Sequence, residues 1–158
     1  MSEMDEQFMR RAIELAQNGV DSNGGPFGCV IARDGKIVGE GVNRVTSTYD
    51  PTAHAEVVAI RDACKNLGSF QLEGCIVYTS CEPCPMCLGA IYWARPERVL
   101  IACDRNDAAE AGFDDAFIYD ELCGNNFADR KVPISILLRD EGLKVFQNWI
   151  AKPDKIEY

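Results

Sequence analysis

The sequence predicts an α/β protein in which helices pack on a central sheet. Three observations support this fold class: an amphipathic helical pattern over residues 5–18, a strand hairpin over 27–42, and alternating helices and strands between 53 and 102. The first hundred residues are therefore ordered as helix, hairpin, helix, strand, helix and strand.

The hairpin is the clearest local element. The runs 27–32 and 36–42 have strand character, and the dipeptide Asp34-Gly35 between them favours a tight turn. The preceding helix, 5–18, carries apolar residues at close to the helical spacing, and a glycine follows it.

Helices and strands then alternate along the chain. Residues 53–66 form a helical pattern that a glycine ends, and 75–79 form a strand pattern. Pro83 suits the first turn of the next helix, which runs to Ala94, because a first-turn residue needs no partner for an N–H group. Residues 98–102 form the fourth predicted strand.

The last third of the chain gives weaker signals. Helical patterns cover 114–122 and 141–151, a loop covers 124–133, and 134–138 is a candidate strand. Pro153 ends the last helix and leaves a short tail.

The composition favours one domain that acts on a small molecule. The 158 residues include 25 acidic and 16 basic side chains, for a net charge of -9. Binding to a nucleic-acid backbone depends on Lys and Arg, so this balance argues against a nucleic-acid partner. A chain of this length is most simply a single domain with its own core.

Cysteine usage and the first residues indicate a cytoplasmic protein. The chain begins with an acidic segment, whereas a secretory signal has positive charge followed by an apolar run. No apolar run approaches the ~20 residues that span a bilayer, so no membrane partner is expected. The eight cysteines are therefore expected to be reduced, most of them buried as small apolar side chains.

Two short motifs predict a catalytic zinc site. His54, the one histidine, stands two residues before Glu56, and Cys84 and Cys87 follow in a Pro-Cys-x-x-Cys motif. An imidazole nitrogen and two thiolates supply three zinc ligands and leave the fourth position for a water or hydroxide. Both ligand segments fall at predicted helix N-termini, whose partial positive charge favours thiolate over thiol.

The carboxylate in the first motif suits proton transfer. Zinc lowers the pKa of a bound water to about 7, so hydroxide becomes available to attack a ring carbon that carries an amine. Glu56 is placed to take the proton of the water, protonate a ring nitrogen and then deliver a proton to the departing ammonia.

Two other interpretations of the cysteines stay open at this point. With Cys81 as a fourth ligand, the motifs would form a closed structural zinc site, which gives Glu56 no purpose. Cys84 and Cys87 could also form a thioredoxin-like redox pair, which leaves His54 unexplained.

The motifs closely resemble those of the cytidine deaminase superfamily and, within it, the bacterial guanine deaminases of the cytidine-deaminase type. The stretches that carry the resemblance are Gly24–Gly28, Asp50–Glu56, Thr79–Cys87, Ala90–Pro96 and Ala108–Asp115. The zinc motifs are common to the superfamily. The Gly-Phe-Asp-Asp segment at 112–115 and the terminal Tyr158 are the features that point to guanine.

The resemblance implies a three-layer α/β/α fold with a central mixed five-stranded sheet and one zinc ion per chain. It implies a single deaminase domain over residues 1–158 and a homodimer whose C-terminal segments, from about 141 to 158, are exchanged between protomers. The implied reaction is the hydrolysis of guanine, a small purine base, to xanthine and ammonia in purine catabolism or salvage.

The resemblance also assigns the chemistry to particular residues. It implies that His54, Cys84 and Cys87 bind zinc and that Glu56 carries protons. Asp115 would recognise the guanine edge and help the amine to leave.

The other substrate-binding residues that the resemblance implies are Phe27, Asn43, Ala55, Trp93, Asp114 and Tyr158. Phe27 and Trp93 would wall the purine, and Asn43 would hydrogen-bond it. Asp114 would share the contact with the guanine edge, and Tyr158 would close the pocket of the partner protomer.

Each of these residues has an ordinary structural explanation as well. Aromatic side chains in apolar segments pack in cores, Asn43 suits a turn, and an aspartate before a helix suits an N-cap. A terminal tyrosine is commonly an exposed end. Three other functions share the zinc motifs: a deaminase of guanosine or another aminated heterocycle, a tRNA adenosine deaminase, and a zinc-stabilised interaction module without catalysis.

Overall fold

The computed structural model describes residues 2–124 and 130–156 in two compact units. The first unit ends at Asp115 and the second begins at Ala116. In the first unit the elements are α1 (Glu3–Asp21), β1 (Gly28–Arg33), β2 (Lys36–Val42), α2 (Val45–Thr48), α3 (Ala55–Leu67), β3 (Ile76–Cys81), α4 (Pro85–Ala94), β4 (Arg98–Cys103) and α5 (Arg105–Glu110). In the second they are α6 (Ala116–Cys123) and α7 (Arg139–Ala151).

The sheet of the first unit is mixed, as predicted. Its strand order is β2-β1-β3-β4, in which β1 is antiparallel to both β2 and β3, and β3 is parallel to β4. Asp34 and Gly35 both have positive φ at the hairpin turn, a conformation that this dipeptide adopts readily.

The prediction of a fifth strand is wrong for the part of the chain that the structure describes, where the sheet has four strands. Residues 134–138, the candidate fifth strand, have no regular structure and are exposed. A strand needs a neighbour that pairs with its backbone N–H and C=O groups. Residues 116–124 and 130–156 include no other strand, so their own unit offers 134–138 no such partner.

The sheet lies between two helical layers, as the predicted α/β/α arrangement requires. Alternate residues of β1 point to opposite faces, so Cys29 and Ile31 join the core under α3 while Val30 and Ala32 join the core under α1. Residues of α3, of the segment that leads into β3, of β3 and of α4 complete the first core: Ala55, Ala59, Ala63, Leu72, Cys75, Val77 and Ala94. The second core also contains Ala12 and Tyr78, with Phe8, Met9 and Leu15 packed against it.

A glycine of β2 allows α3 to lie unusually close to the sheet. A Cβ atom at Gly41 would stand 2.1 Å from the carbonyl oxygen of Ala55 and 2.5 Å from the backbone nitrogen of Ala59. No side chain fits such distances, so the first turn of α3 rests directly on the backbone of β2. That contact fixes the height of the helix end that carries His54 and Glu56.

A polar cluster around two buried side chains, those of Asp5 and Tyr78, lies beside β3 and the start of β4. The carboxylate of Asp5 accepts hydrogen bonds from Ser2 N at 2.7 Å and from Tyr78 Oη at 2.7 Å, and Arg98 Nη2 lies 3.4 Å from it. Ser2 also caps α1, because its hydroxyl accepts from the backbone nitrogen of Asp5. This cluster, which we call the Asp5 cluster, consists of Ser2, Asp5, Tyr78 and Arg98.

The second unit has little core of its own. None of its described residues is buried, and both helices expose large apolar side chains, among them Phe117, Leu122, Val145, Phe146 and Ile150. Within it, the backbone nitrogen of Lys131 donates to the carboxylate of Glu121 at 2.9 Å. No helix in the described part of the chain combines the length and the apolar character that a membrane span requires.

Candidate active site

The first two predicted zinc ligands occupy N-cap positions. His54 precedes α3 and Cys84 precedes α4, and both have extended backbone angles. Each carbonyl accepts the first hydrogen bond of its helix, at 2.9 Å for His54 and 2.8 Å for Cys84. Neither side chain caps its own helix. The imidazole and the thiol are therefore directed toward each other instead of toward backbone N–H groups.

The structure brings the three predicted ligands together. Nδ1 of His54 lies 3.6 Å from the sulfur of Cys84 and 3.5 Å from the sulfur of Cys87, and the three ligand atoms lie within 4.8 Å of one another. A tetrahedral zinc with bonds of about 2.0 Å to nitrogen and about 2.3 Å to sulfur separates such donors by roughly 3.5 Å. The donor types and their spacing fit zinc.

Electrostatics also favour metal binding at these atoms. A hydrogen bond from Cys87, supported by His54, lowers the pKa of Cys84 to about 4, and the same contact raises the pKa of Cys87. The side-chain hydrogen bond with Cys84 is the largest influence on the imidazole of His54, and it raises the pKa of that group. The lowered pKa of Cys84 favours its thiolate, and a thiolate is the form that binds zinc.

Glu56 lies in the first turn of α3, beside the three donors. Its side chain is buried, and that burial raises the pKa of its carboxyl group, while contacts with its own backbone and with Cys87 oppose the shift. A buried carboxyl group with a raised pKa exchanges protons more readily near neutrality than an exposed glutamate does. Its position and its chemistry match the predicted proton carrier.

A cavity of about 530 Å³ opens beside the donors. It is lined by Asn23, Gly24, Gly25, Phe27, Asn43, Val45, Thr46, His54, Glu56, Cys81, Glu82, Cys84, Arg105, Ala108, Gly112, Phe113, Asp114 and Asp115. The lining combines the aromatic rings of Phe27 and Phe113, two asparagines and the carboxyl groups of Glu56, Glu82, Asp114 and Asp115. A planar, polar heterocycle is a suitable occupant of such a cavity.

The predicted substrate residues fall into three groups. Phe27, Asn43 and Asp114 line the cavity with Asp115, whereas neither Ala55 nor Trp93 is among the described residues that line it. Ala55 is buried under β2, and Trp93 lies on α4 with 65% of its surface exposed. Tyr158 lies outside the described residues.

Asn43 and Phe27 are held by neighbours. The side-chain oxygen of Asn43 accepts from the backbone nitrogen of Val45 at 3.2 Å, which orients its amide. The ring of Phe27 meets that of Phe113 edge-on, with centroids 4.9 Å apart. Burial, followed by the charge of Cys84, raises the pKa of Asp115.

Sequence reasoning missed Glu82 and Arg105, both of which line the cavity. A signal for Arg105 was available, because the carboxyl ends of neighbouring parallel strands meet at one sheet edge, where ligands commonly bind. β3 and β4 end at Cys81 and Cys103, so the residues after each strand lie side by side. Helix α5, also missed, begins at the N-cap Asp104, whose capping box with Asp107 is visible in the sequence.

The family model described as the cytidine and deoxycytidylate deaminase zinc-binding region matches residues 2–103. The guanine deaminase of Bacillus subtilis (strain 168) is 56% identical over 154 residues, which cover 97% of this chain and 98% of that protein. The tRNA-specific adenosine deaminase of Aquifex aeolicus (strain VF5) is 38% identical over 97 residues, 61% of this chain and 64% of that protein.

A solved structure agrees with these matches. The X-ray structure of guanine deaminase from Bacillus subtilis superposes with a TM-score of 0.94 at 55% identity, and the alignment covers 100% of this chain and 99% of that one. The resemblance predicted from the zinc motifs is confirmed. So is the predicted α/β fold, apart from the number of strands.

Proposed function

Because the chain belongs to the cytidine and deoxycytidylate deaminase family, we propose that it hydrolyses guanine to xanthine and ammonia with the help of a zinc ion. One observation carries the choice of guanine: similarity to a guanine deaminase extends over 97% of the chain, well beyond the zinc-binding region at residues 2–103. The residues after 103 include Asp114 and Asp115, which line the cavity.

The zinc ligands that we propose are His54, Cys84 and Cys87. When bound there, zinc supplies the activation of water as a nucleophile near neutral pH. The chain positions the ligands for that chemistry. The three donors lie at the N-terminal ends of α3 and α4, at separations that fit tetrahedral coordination.

Glu56 is the proposed proton carrier. It would take a proton as water attacks the carbon that bears the 2-amino group and deliver it to the adjacent ring nitrogen. It would then take the second proton of that water from the added hydroxyl and pass it to the departing amine. Its buried carboxyl group lies two residues after His54 and lines the same cavity, so one side chain would reach both the water and the base.

The base would be held by the other lining residues. Phe27 and Phe113 form an edge-on aromatic pair that can wall one side of a planar purine. Asn43, oriented by its bond to Val45, presents an amide that can donate to an acceptor atom of the base. Asp115, with Asp114, would accept from the N–H groups of the guanine edge and assist the departure of ammonia.

We also propose that the chain is a single deaminase domain and forms a homodimer. In this dimer the C-terminal segments, from about residue 141 to 158, are exchanged between protomers. Helices α6 and α7 bury none of their residues in their own unit, and α4 exposes Tyr92 and Trp93 in the other. Clusters of exposed large apolar side chains commonly mark a surface that a partner covers. In the dimer, Trp93 and Ala55 would help to form the substrate site, and Tyr158 would close the site of the partner.

Mixing two inactive variants tests the exchange. Glu56→Gln disables the site of its own chain, and Tyr158→Ala removes the proposed closure of the partner's site, so both defects fall on the same site of an exchanged heterodimer. Co-refolded heterodimers should regain part of the wild-type turnover, because one of their two sites is complete. Light scattering should give the mass of two chains, and a monomer that is fully active would refute the exchange.

A cytoplasmic location is part of the same proposal. All eight cysteines are free, and reduced thiols are typical of a reducing compartment. The substrate is a small purine base, and the net charge of -9 gives no reason to expect a nucleic acid or an anionic membrane surface as a partner.

The experiment that tests the function is ammonia release by the purified, zinc-loaded protein. Guanine, guanosine, adenine and cytosine are assayed in parallel, with Glu56→Gln as the inactive control. We expect release from guanine alone, because adenine carries its amine on a different ring carbon. Release from guanosine or cytosine in preference to guanine would overturn the proposed substrate, and no release from any of the four would overturn the proposed enzyme.

A further inference from the structure

Two segments that line the cavity are joined beside it by an ion pair with no part in the mechanism proposed above. Glu82 directly follows β3 and stands two residues before the proposed ligand Cys84. Arg105 begins α5, on the segment that leads to Asp115. Both Glu82 and Arg105 line the cavity.

The Glu82 carboxylate accepts from three N–H groups of Arg105. Oε2 accepts from the backbone nitrogen at 3.1 Å, and Oε1 accepts from Nε at 3.0 Å and also from Nη2. The backbone nitrogen of Glu82 donates to the carbonyl of Cys103 at 3.0 Å. A guanidinium group that binds through several N–H groups fixes orientation as well as distance. The two segments are therefore joined rigidly.

The segment 104–115 has a second anchor near its other end. The backbone nitrogen of Phe113 donates to the carbonyl of Ala108 at 2.9 Å, which folds the chain back after α5. The ring of Phe113 then packs against Phe27. Asp114 and Asp115 follow directly, so their positions depend on both anchors.

We propose that Arg105 is a positioning residue, which acts through Glu82 to hold segment 104–115 beside the zinc-ligand loop and so sets where Asp115 meets the base. This inference rests on the proposed function, because the position of Asp115 matters to catalysis only when a purine fills the cavity. The zinc donors belong to α3 and α4, so loss of the pair should leave metal binding intact.

Kinetics of the full-length, zinc-loaded protein test the role. Arg105→Ala and Glu82→Gln should each raise the KM for guanine and lower kcat/KM by about 10- to 100-fold, as expected for a misplaced binding group. Zinc content should stay at one per chain. The double variant should be no worse than either single variant, because the two side chains act as one unit. Arg105→Lys should recover only part of the loss, since lysine keeps the charge without the planar fork.

The chain offers a matched control. Arg11 and Glu40 form a similar pair, with Nε to Oε1 at 2.8 Å and Nη2 to Oε2 at 3.0 Å, and neither lines the cavity. Arg11→Ala should leave the KM for guanine unchanged. If Arg105→Ala behaves like Arg11→Ala, with a lower unfolding midpoint and an unchanged KM, Arg105 is only structural and the inference is wrong.

Hydrogen exchange separates failure of this inference from failure of the proposed function. In Arg105→Ala, the amides of residues 106–113 should exchange faster while those of α3 are unchanged. If the wild-type protein releases no ammonia from guanine, the proposed function fails, and faster exchange at 106–113 would then show only that the Glu82–Arg105 pair holds this segment in place. Unchanged exchange at 106–113 would overturn the proposed positioning role of Arg105.

Discussion

The first unit buries two carboxylates that are equally exposed but differ in their hydrogen-bond partners and in the direction of their pKa shifts. Asp5 and Glu56 are each 6% exposed. Hydrogen bonds from the Ser2 backbone and from Tyr78 lower the pKa of Asp5 to about 2. Burial is the largest influence on Glu56 and raises its pKa. The first carboxylate is surrounded by donors on protein elements, whereas the second faces a cavity beside thiols and an imidazole.

The difference shows how a buried charge can be assigned to structure or to chemistry. A carboxylate whose oxygens are satisfied by backbone, hydroxyl and guanidinium donors stabilises the fold and stays charged. A carboxyl group whose partners are few and whose neighbours are metal donors is kept ready to accept a proton. Burial alone does not distinguish the two roles; the partners do.

The largest expected effect comes from removing a donor beside Glu56. Cys84→Ala should lose stoichiometric zinc and with it all turnover, and it should unfold at a lower denaturant concentration because zinc binding stabilises the folded chain. Metal analysis and denaturant unfolding measure both effects. Cys103→Ala, which changes an exposed cysteine at the end of β4, is the control and should keep its zinc. Full zinc content in Cys84→Ala would contradict the ligand assignment.

The next effect isolates the carboxyl group itself. Glu56→Gln should bind zinc and unfold like the wild type, yet turn over guanine about 10²- to 10⁴-fold more slowly, the range that proton transfer by a side chain contributes. An amide has the same shape but carries no exchangeable acid proton. Steady-state ammonia release and zinc content decide the outcome, and full activity would remove Glu56 from the mechanism.

The reciprocal change at Asp5 should affect stability and leave catalysis alone. Asp5→Asn should lower the unfolding midpoint without changing the KM for guanine. The folded pKa of about 2 lies below the ordinary value of 3.8, so the stabilisation is complete above pH 3.8 and is lost as the pH falls through about 2. The stability gap between wild type and Asp5→Asn should therefore narrow as the pH falls from 3.8 to about 2. A constant gap would show that charge is not the cause.

A smaller change tests one hydrogen bond of the Asp5 cluster. Tyr78→Phe should cost about 1.5–3 kcal/mol of unfolding free energy, because it removes a buried hydrogen bond to a charged group. Burial and then the bond to Asp5 raise the pKa of Tyr78 to about 12, above its ordinary 10.0. Its contribution is therefore complete below pH 10 and is lost as the pH rises through about 12. Urea unfolding at neutral pH should show the loss, with zinc content unchanged.

Much of the fold could be predicted from local patterns. The hairpin around Asp34 and Gly35, the helix after His54 and the strand at 98–102 appear where periodicity and turn residues place them. Those signals are local, since a helix or a hairpin is specified by residues only a few positions apart. The fifth strand failed because pairing depends on a partner distant in the sequence.

The candidate site likewise contains residues that local motifs identify and residues that they do not. His54, Glu56, Cys84 and Cys87 were identifiable because their spacing within two short motifs already matches the chemistry of zinc. Arg105 was not, because nothing local connects it to the zinc motif; the two become neighbours only when β3 and β4 pair in parallel.

The sequence by itself indicated the metal, the candidate proton carrier and the order of most elements, because residue type and short-range spacing carry those signals. The tertiary structure alone decided which carboxylates are satisfied by the protein and which face a cavity. It also decided that α3 packs directly against the backbone at Gly41 and that Glu82 accepts hydrogen bonds from Arg105. Those properties depend on distances between residues far apart in the chain, and only the packed fold sets such distances.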